Sequence, residues 1–185
     1  GALLERLLFA VRQPATSGNV YHYIEWATSV PGVGAVKVLP LWNGNGTVKV
    51  IVVDVRKNSP SEDLLQSVRD NIAANAPIGA TVTVVAPALK TVNISLKVTS
   101  GSGDVDAIKT ALTTYFKNNV FGSNYTTQKM TDTVTISYAQ IGRIILDNSS
   151  TTGVNDYSNL MVNGGTDNIV CAANNLPVIG TVTLT

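Results

Sequence analysis

Val33-Gly34-Ala35-Val36-Lys37-Val38-Leu39-Pro40-Leu41-Trp42-Asn43-Gly44-Asn45-Gly46-Thr47-Val48-Lys49-Val50-Ile51-Val52-Val53-Asp54-Val55 is the stretch that decides the fold class. Val33 to Leu41 reads as one strand and Thr47 to Val55, rich in Val and Ile, as its return. Asn43-Gly44-Asn45-Gly46 supplies the turn chemistry of a β-hairpin between them. Upstream, a short helical stretch around Leu3 to Val11 is followed by the turn-rich Gln13-Pro14-Ala15-Thr16-Ser17-Gly18-Asn19. Val20, Tyr23, Ile24, Ala27 and Val30 then recur at helical spacing, and Pro31-Gly32 ends that helix. Downstream, Ser59 fits a helix N-cap, Pro60 the first helical position and Glu62 the third, as in a capping box. Leu64, Leu65, Val68 and Ile72 form the apolar face of this helix, Pro77 closes it, and Thr81 to Val85 is a short strand. The order helix, strand, strand, helix, strand predicts two helices on one face of a small three-stranded sheet.

A second unit begins near Leu89. Thr91 to Thr99 alternates strictly, with Val92, Ile94, Leu96 and Val98 on one side and Asn93, Ser95 and Lys97 on the other, the pattern of a half-buried strand. Gly101-Ser102-Gly103 turns the chain into a helix whose inward residues are Val105, Ile108, Leu112, Tyr115 and Phe116. Asn118 to Thr133 is polar and aperiodic and reads as a long loop. Ser137 and Gln140 form a second capping box before a short helix carrying Ile141, Ile144 and Ile145. Strands follow around Asp156 to Val162, Asn168 to Ala172 and Val178 to Leu184. The expected architecture is α+β: two small subdomains, residues 1–88 and 89–185, each a few-stranded sheet covered by helices and without a sequence repeat between them.

Composition agrees with a packed chain of one or two domains: 185 residues, 44% hydrophobic and 6% aromatic. Only 14% are charged, with 13 basic against 12 acidic residues and a net charge of +1, so no field draws the chain to nucleic acid or anionic lipid. Cys171 is the sole cysteine, which excludes an intramolecular disulfide and fits a reducing compartment. No run reaches the roughly 20 apolar residues of a membrane span, and Leu3-Leu4-Glu5-Arg6-Leu7-Leu8 is broken by charges. The Asn-x-Ser/Thr matches at Asn45, Asn93, Asn124 and Asn148 are what an Asn- and Thr-rich chain produces by chance.

Catalytic chemistry finds no footing in the sequence. A zinc site needs three or four ligands, and His22 and Cys171 are the only histidine and cysteine. His22, between Tyr21 and Tyr23, reads as a surface or packing residue. Gly101-Ser102-Gly103 precedes a helix as a dinucleotide fingerprint would, but Asp106 occupies the sixth position, and Asp104 and Asp106 suit helix capping better than pyrophosphate. Gly32-Val33-Gly34 and Gly44-Asn45-Gly46 lead into strands, and no P-loop or Gly-x-Ser-x-Gly elbow occurs. Asp54, Asp147, Asp156 and Asp167 are scattered carboxylates that the sequence does not pair. Asp104-Val105-Asp106 lacks the rest of a calcium loop. No catalytic, cofactor or metal residues are assigned, and no cofactor is expected.

One resemblance is specific. Gly18-Asn19-Val20-Tyr21-His22-Tyr23-Ile24-Glu25-Trp26-Ala27-Thr28-Ser29-Val30-Pro31-Gly32-Val33 resembles the baseplate J-like family in its Gly-Asn, Tyr, Trp-Ala and Val-Pro-Gly-Val. Val36 to Val48 is similar to that family's strand, Pro, Trp and Gly-x-Gly-x-Val hairpin, and Pro77 to Val84, Val92-Asn93-Ile94 and Leu176-Pro177-Val178-Ile179-Gly180 follow in order. The resemblance implies a non-enzymatic, structural wedge component of a contractile phage or prophage-derived tail baseplate. It implies other baseplate and tail proteins as partners, with self-association in the assembly and neither nucleic acid nor membrane. It places the protein in the virion tail, and in the bacterial cytoplasm during assembly. Family members carry a further N-terminal region, so this chain would be their C-terminal portion. Trp26, Trp42 and Tyr23 are expected in the packing, and Gly44 and Gly46 at positive φ. Two other classes stay open. A carbohydrate- or surface-binding tail module would use exposed aromatics such as Tyr125 and Tyr157, and a small-ligand regulatory domain would bind between α+β units.

Overall fold

The computed structural model describes residues 19–120 and 133–185. Asn19 opens the first helix, α1 (Val20–Thr28), by accepting a hydrogen bond from the His22 amide at 3.1 Å. The helical spacing read from the sequence puts Tyr23, Ile24 and Ala27 inward, and all three are buried. Gly32, at φ 98°, turns the chain into β1 (Val33–Pro40). The return strand β2 (Thr47–Asp54) pairs antiparallel with it. The register slips between Val33 and Ala35, so Gly34 is the extra residue of a bulge. Helix α2 (Glu62–Asn75) crosses back to β3 (Thr81–Val85), which lies parallel to β2 with Thr47 opposite Thr81. Sheet order is β1-β2-β3.

Tyr23, Ile24 and Ala27 of α1 and Leu65, Val68 and Ile72 of α2 share one core with Val36, Val38, Val50, Val52 and Val84. This is the expected pair of helices on one sheet face. The opposite face of the hairpin is buried as well, at Ala35, Ile51 and Val53. Burial on both faces explains why Val50 to Val53 reads as an unbroken apolar run instead of alternating.

The start of α2 corrects the sequence reading. Ser61, not Ser59, is the N-cap: its backbone is extended and its Oγ accepts from the Leu64 amide at 3.3 Å. Glu62 is therefore the first helical residue, and its carboxylate pairs with Arg69 two turns along the same face. Two serines flank Pro60, so composition alone could not choose between them. Ser61→Ala is expected to cost about 1 kcal/mol and Ser59→Ala only a few tenths. Urea midpoints of the two variants check this, and the reverse order would restore Ser59 as the cap.

From Ala88 a second compact unit begins. Strand β4 (Ala88–Gly101) is central, with β6 (Val154–Val162) antiparallel on one side and β8 (Asn175–Leu184) parallel on the other. The alternation predicted for Thr91 to Thr99 holds, since Val92, Ile94 and Leu96 are buried while Thr91, Asn93 and Lys97 are exposed. Helix α3 (Val105–Val120) packs on β8 through Ile108, Leu112 and Phe116. Helix α4 (Tyr138–Asp147) packs on β6, with Ser137 accepting from the Gln140 amide at 3.4 Å. A short helix α5 (Ser149–Thr152) and the antiparallel pair β5 (Val134–Ile136) and β7 (Ile169–Cys171) complete the unit.

Asn93 and Asn163 bind this sheet together. Asn93 Oδ1 accepts from the Thr181 amide at 2.9 Å and its hydroxyl at 3.2 Å, and the Asn93 amide donates to Asn163 Oδ1 at 2.8 Å. These bonds sit where the β4–β8 register slips between Val92 and Ile94, and they satisfy groups the ladder leaves over.

Three differences from the sequence reading remain. Strand β5 and helix α5 were not expected; three or four residues are too few to show a period. Helix α3 continues to Val120, past Asn118, where the sequence predicts the start of a loop. The remainder of that loop, residues 121–132, and the helical stretch expected at Leu3 to Val11 lie outside the described residues. The α+β class stands.

Candidate interaction surface

Most of the residues weighed for chemistry are engaged in local contacts. His22 stacks on Trp26 with ring centroids 5.1 Å apart, one turn along α1. Cys171 is buried in β7 opposite Val134. Asp104 accepts from the Asp106 and Ala107 amides at 2.9 and 3.0 Å, so its own carboxylate fills the place a phosphate would take. Asp54 accepts from the Arg56 and Asn58 amides, each at 2.8 Å, and closes the turn after β2. Asp147 lies 3.5 Å from Arg143, Asp156 accepts from the Thr99 hydroxyl at 2.9 Å, and Asp167 is exposed between β6 and β7. Among the described residues no three His, Cys, Asp or Glu side chains gather as a metal site would require. No helix among them is long and apolar enough to cross a membrane.

The aromatic residues divide. Tyr23 is buried, and desolvation holds its phenol above the usual range. Trp26 meets it edge-on at 5.2 Å and packs against the core, and its carbonyl accepts from Asn71 Nδ2 at 2.6 Å, tying α1 to α2. Tyr157 is no open platform: it lies against Gly142 of α4 so closely that a Cβ there would fall 1.9 Å from its hydroxyl. Desolvation, with the charges of Tyr138 and Asp156, raises its pKa too. Tyr125 lies outside the described residues.

Trp42 departs from the expectation of packing. It follows the last residue of β1 by two positions and is 42% exposed. Leu41 beside it takes φ 56° and is 62% exposed. The Lys49 ammonium sits over the Trp42 ring, 3.9 Å from its centroid. Gly44 and Gly46 adopt the expected positive φ, 96° and 76°. Because β2 and β3 run parallel, the loop before β3 comes to the same end of the sheet, where the Thr81 amide donates to the Gly46 carbonyl at 2.9 Å. That loop carries Ile78, which is fully exposed. Leu41, Trp42 and Ile78 thus crown one end of the first sheet. Among the described residues the other large exposed apolar side chains are Val55 in the turn after β2, Leu89 on β4, Met161 on β6 and Val170 on β7.

Comparison with known proteins gives this surface a setting. The baseplate J-like central domain matches residues 15–86, and the baseplate J-like protein C-terminal domain matches residues 92–185. The phage-like element PBSX protein XkdT of Bacillus subtilis is 36% identical over 193 residues, covering 98% of this chain and 52% of the relative. Baseplate protein gp47 of Escherichia phage Mu is 36% identical over 131 residues, covering 64% of this chain and 36% of that protein. The chain spans about half the length of the first of these relatives. A chain of the anti-feeding prophage baseplate shares the fold, with a TM-score of 0.57 at 11% identity over 96% of this chain and 41% of that one. Two family models in tandem, over two units that the chain folds in the same order, show that the protein belongs to the baseplate J-like family.

Proposed function

We propose that this chain is a structural component of a contractile phage or prophage-derived tail baseplate, acting in wedge assembly without catalysis. The tandem family match across residues 15–86 and 92–185 carries this reading. Its partners are other baseplate proteins and copies of itself, and its place is the virion tail after assembly in the bacterial cytoplasm. Residues 1–88 and 89–185 serve as two subdomains presenting surfaces, with no catalytic, cofactor or metal residue. Engagement of Asp54, Asp147, Asp156 and His22 in local contacts supports a scaffold.

Tail particles purified from induced cells, digested and quantified by mass spectrometry, test the reading. The full-length protein is expected at a fixed ratio to the other baseplate subunits. Particles complete without it would overturn the assignment, as would a saturable hydrolytic activity lost on a single point substitution.

A further inference from the structure

We infer that the sheet end formed by Leu41, Trp42, Lys49 and Ile78 is a preformed knob that seats in an apolar socket, rimmed by carboxylate, on a neighbouring protein; the inference rests on the baseplate reading above. Three large apolar side chains face solvent here, at 62%, 42% and 107% relative exposure, although Leu65, Val68, Ile72 and the valines Val36, Val38, Val50 and Val52 of this unit are packed in a common core. A soluble surface gains nothing from such a cluster unless something covers it.

The knob is held rigid. The Leu41 amide donates to the Thr47 carbonyl at 2.7 Å, and the Thr47 hydroxyl donates to the Gly44 carbonyl at 2.7 Å while accepting from the Asn43 amide at 3.0 Å. Leu41 is kept at φ 56°, a conformation disfavoured for a bulky residue, and its side chain is turned outward. Apolar groups fixed in place before binding lose little entropy on docking, which is what an interface anchor requires.

Charge identifies the occupant. No Asp or Glu occurs between Glu25 and Asp54 or between Asp70 and Asp104, so the hairpin and the β3 loop present Lys49 with no carboxylate of their own strands to answer it. A partner carboxylate beside the Trp42 ring would complete the pair as water leaves. A lipid surface is the poorer fit, because membrane adhesion draws on clusters of about 4–8 basic residues. Among the described residues Lys49 is the one cation that the hairpin and the β3 loop present, Lys37 being buried within β1.

The test uses the full-length protein, expressed in cells whose own copy is deleted, and measures incorporation into purified tail particles. Ile78→Glu and Lys49→Glu are expected to cut incorporation by about tenfold or more, and Lys49→Arg to leave it near wild type. Ile78 makes no buried contact, so Ile78→Glu should melt with the wild type and separate docking from folding. Trp42→Ala, checked the same way, should behave like Ile78→Glu. Normal incorporation of the Ile78→Glu and Trp42→Ala variants would overturn the knob alone. Absence of the wild-type protein from particles would remove the baseplate reading and the knob with it. Saturable binding to vesicles of phosphatidylcholine and phosphatidylglycerol in equal parts, lost in Ile78→Glu, would reassign the tip to a membrane surface.

Discussion

Phe116→Ala is expected to destabilise the second unit by about 4 kcal/mol. Phe116 is fully buried, on the face of α3 that lies against β8, and Tyr115 flanks it with ring centroids 5.9 Å apart. Truncation removes apolar area and leaves a void that Leu112 and Ile108, one and two turns away on the same helix, cannot fill without leaving their own contacts. Hydrogen exchange resolves where the loss falls. Faster exchange is expected in Val92 to Leu96 of β4, with Val50 to Val53 of β2 unchanged if the two units open separately. A loss below about 1 kcal/mol would mean that α3 does not pack on this sheet through Phe116.

Gly34→Ala should be nearly as damaging, by about 3 kcal/mol, for a reason unrelated to helix or strand propensity. A Cβ at residue 34 would stand 2.0 Å from the Asp54 carbonyl oxygen, 2.6 Å from its carbon and 2.7 Å from the Val55 Cα. All three are backbone atoms, at the last residue of β2 and the one after it, so no rotamer change relieves the clash; the bulge itself would have to open. Gly44→Ala is the control. Gly44 has open space around it and only its φ of 96° to lose, a cost of about 1 kcal/mol. Urea unfolding of the two variants should rank them in that order, and equal losses would show that close approach at the bulge is not what requires glycine at residue 34.

What could be read from the sequence, and what could not, follows from the range of the interactions involved. The hairpin, α1 and β4 were legible because their signals are local: Asn43 to Gly46 carries turn chemistry, and Val92, Ile94 and Leu96 carry a period of two. The cap of α2 was misassigned by two residues because Ser59 and Ser61 are chemically the same and only the backbone conformation separates them. The exposure of Trp42 was hidden for a deeper reason. Aromatic residues are usually packed, and only the parallel pairing of β2 with β3 shows that Trp42 shares a sheet end with Ile78, 36 positions on. The Asn93 network was equally out of reach, since its partners come from β8 and the turn after β6.

That network also sets an order of events during synthesis. Asn93 and Thr181 are 88 residues apart, and β4 has β8 as its parallel neighbour, so the second sheet cannot close until nearly all the described chain has left the ribosome. The first sheet has every strand by Val85, and its hairpin forms from adjacent residues. Unit one can therefore be folded, with Trp42 and Ile78 already displayed, while β4 is still waiting for its partner. Its exposed end is available to a neighbour, or to a chaperone, before the rest of the molecule is finished.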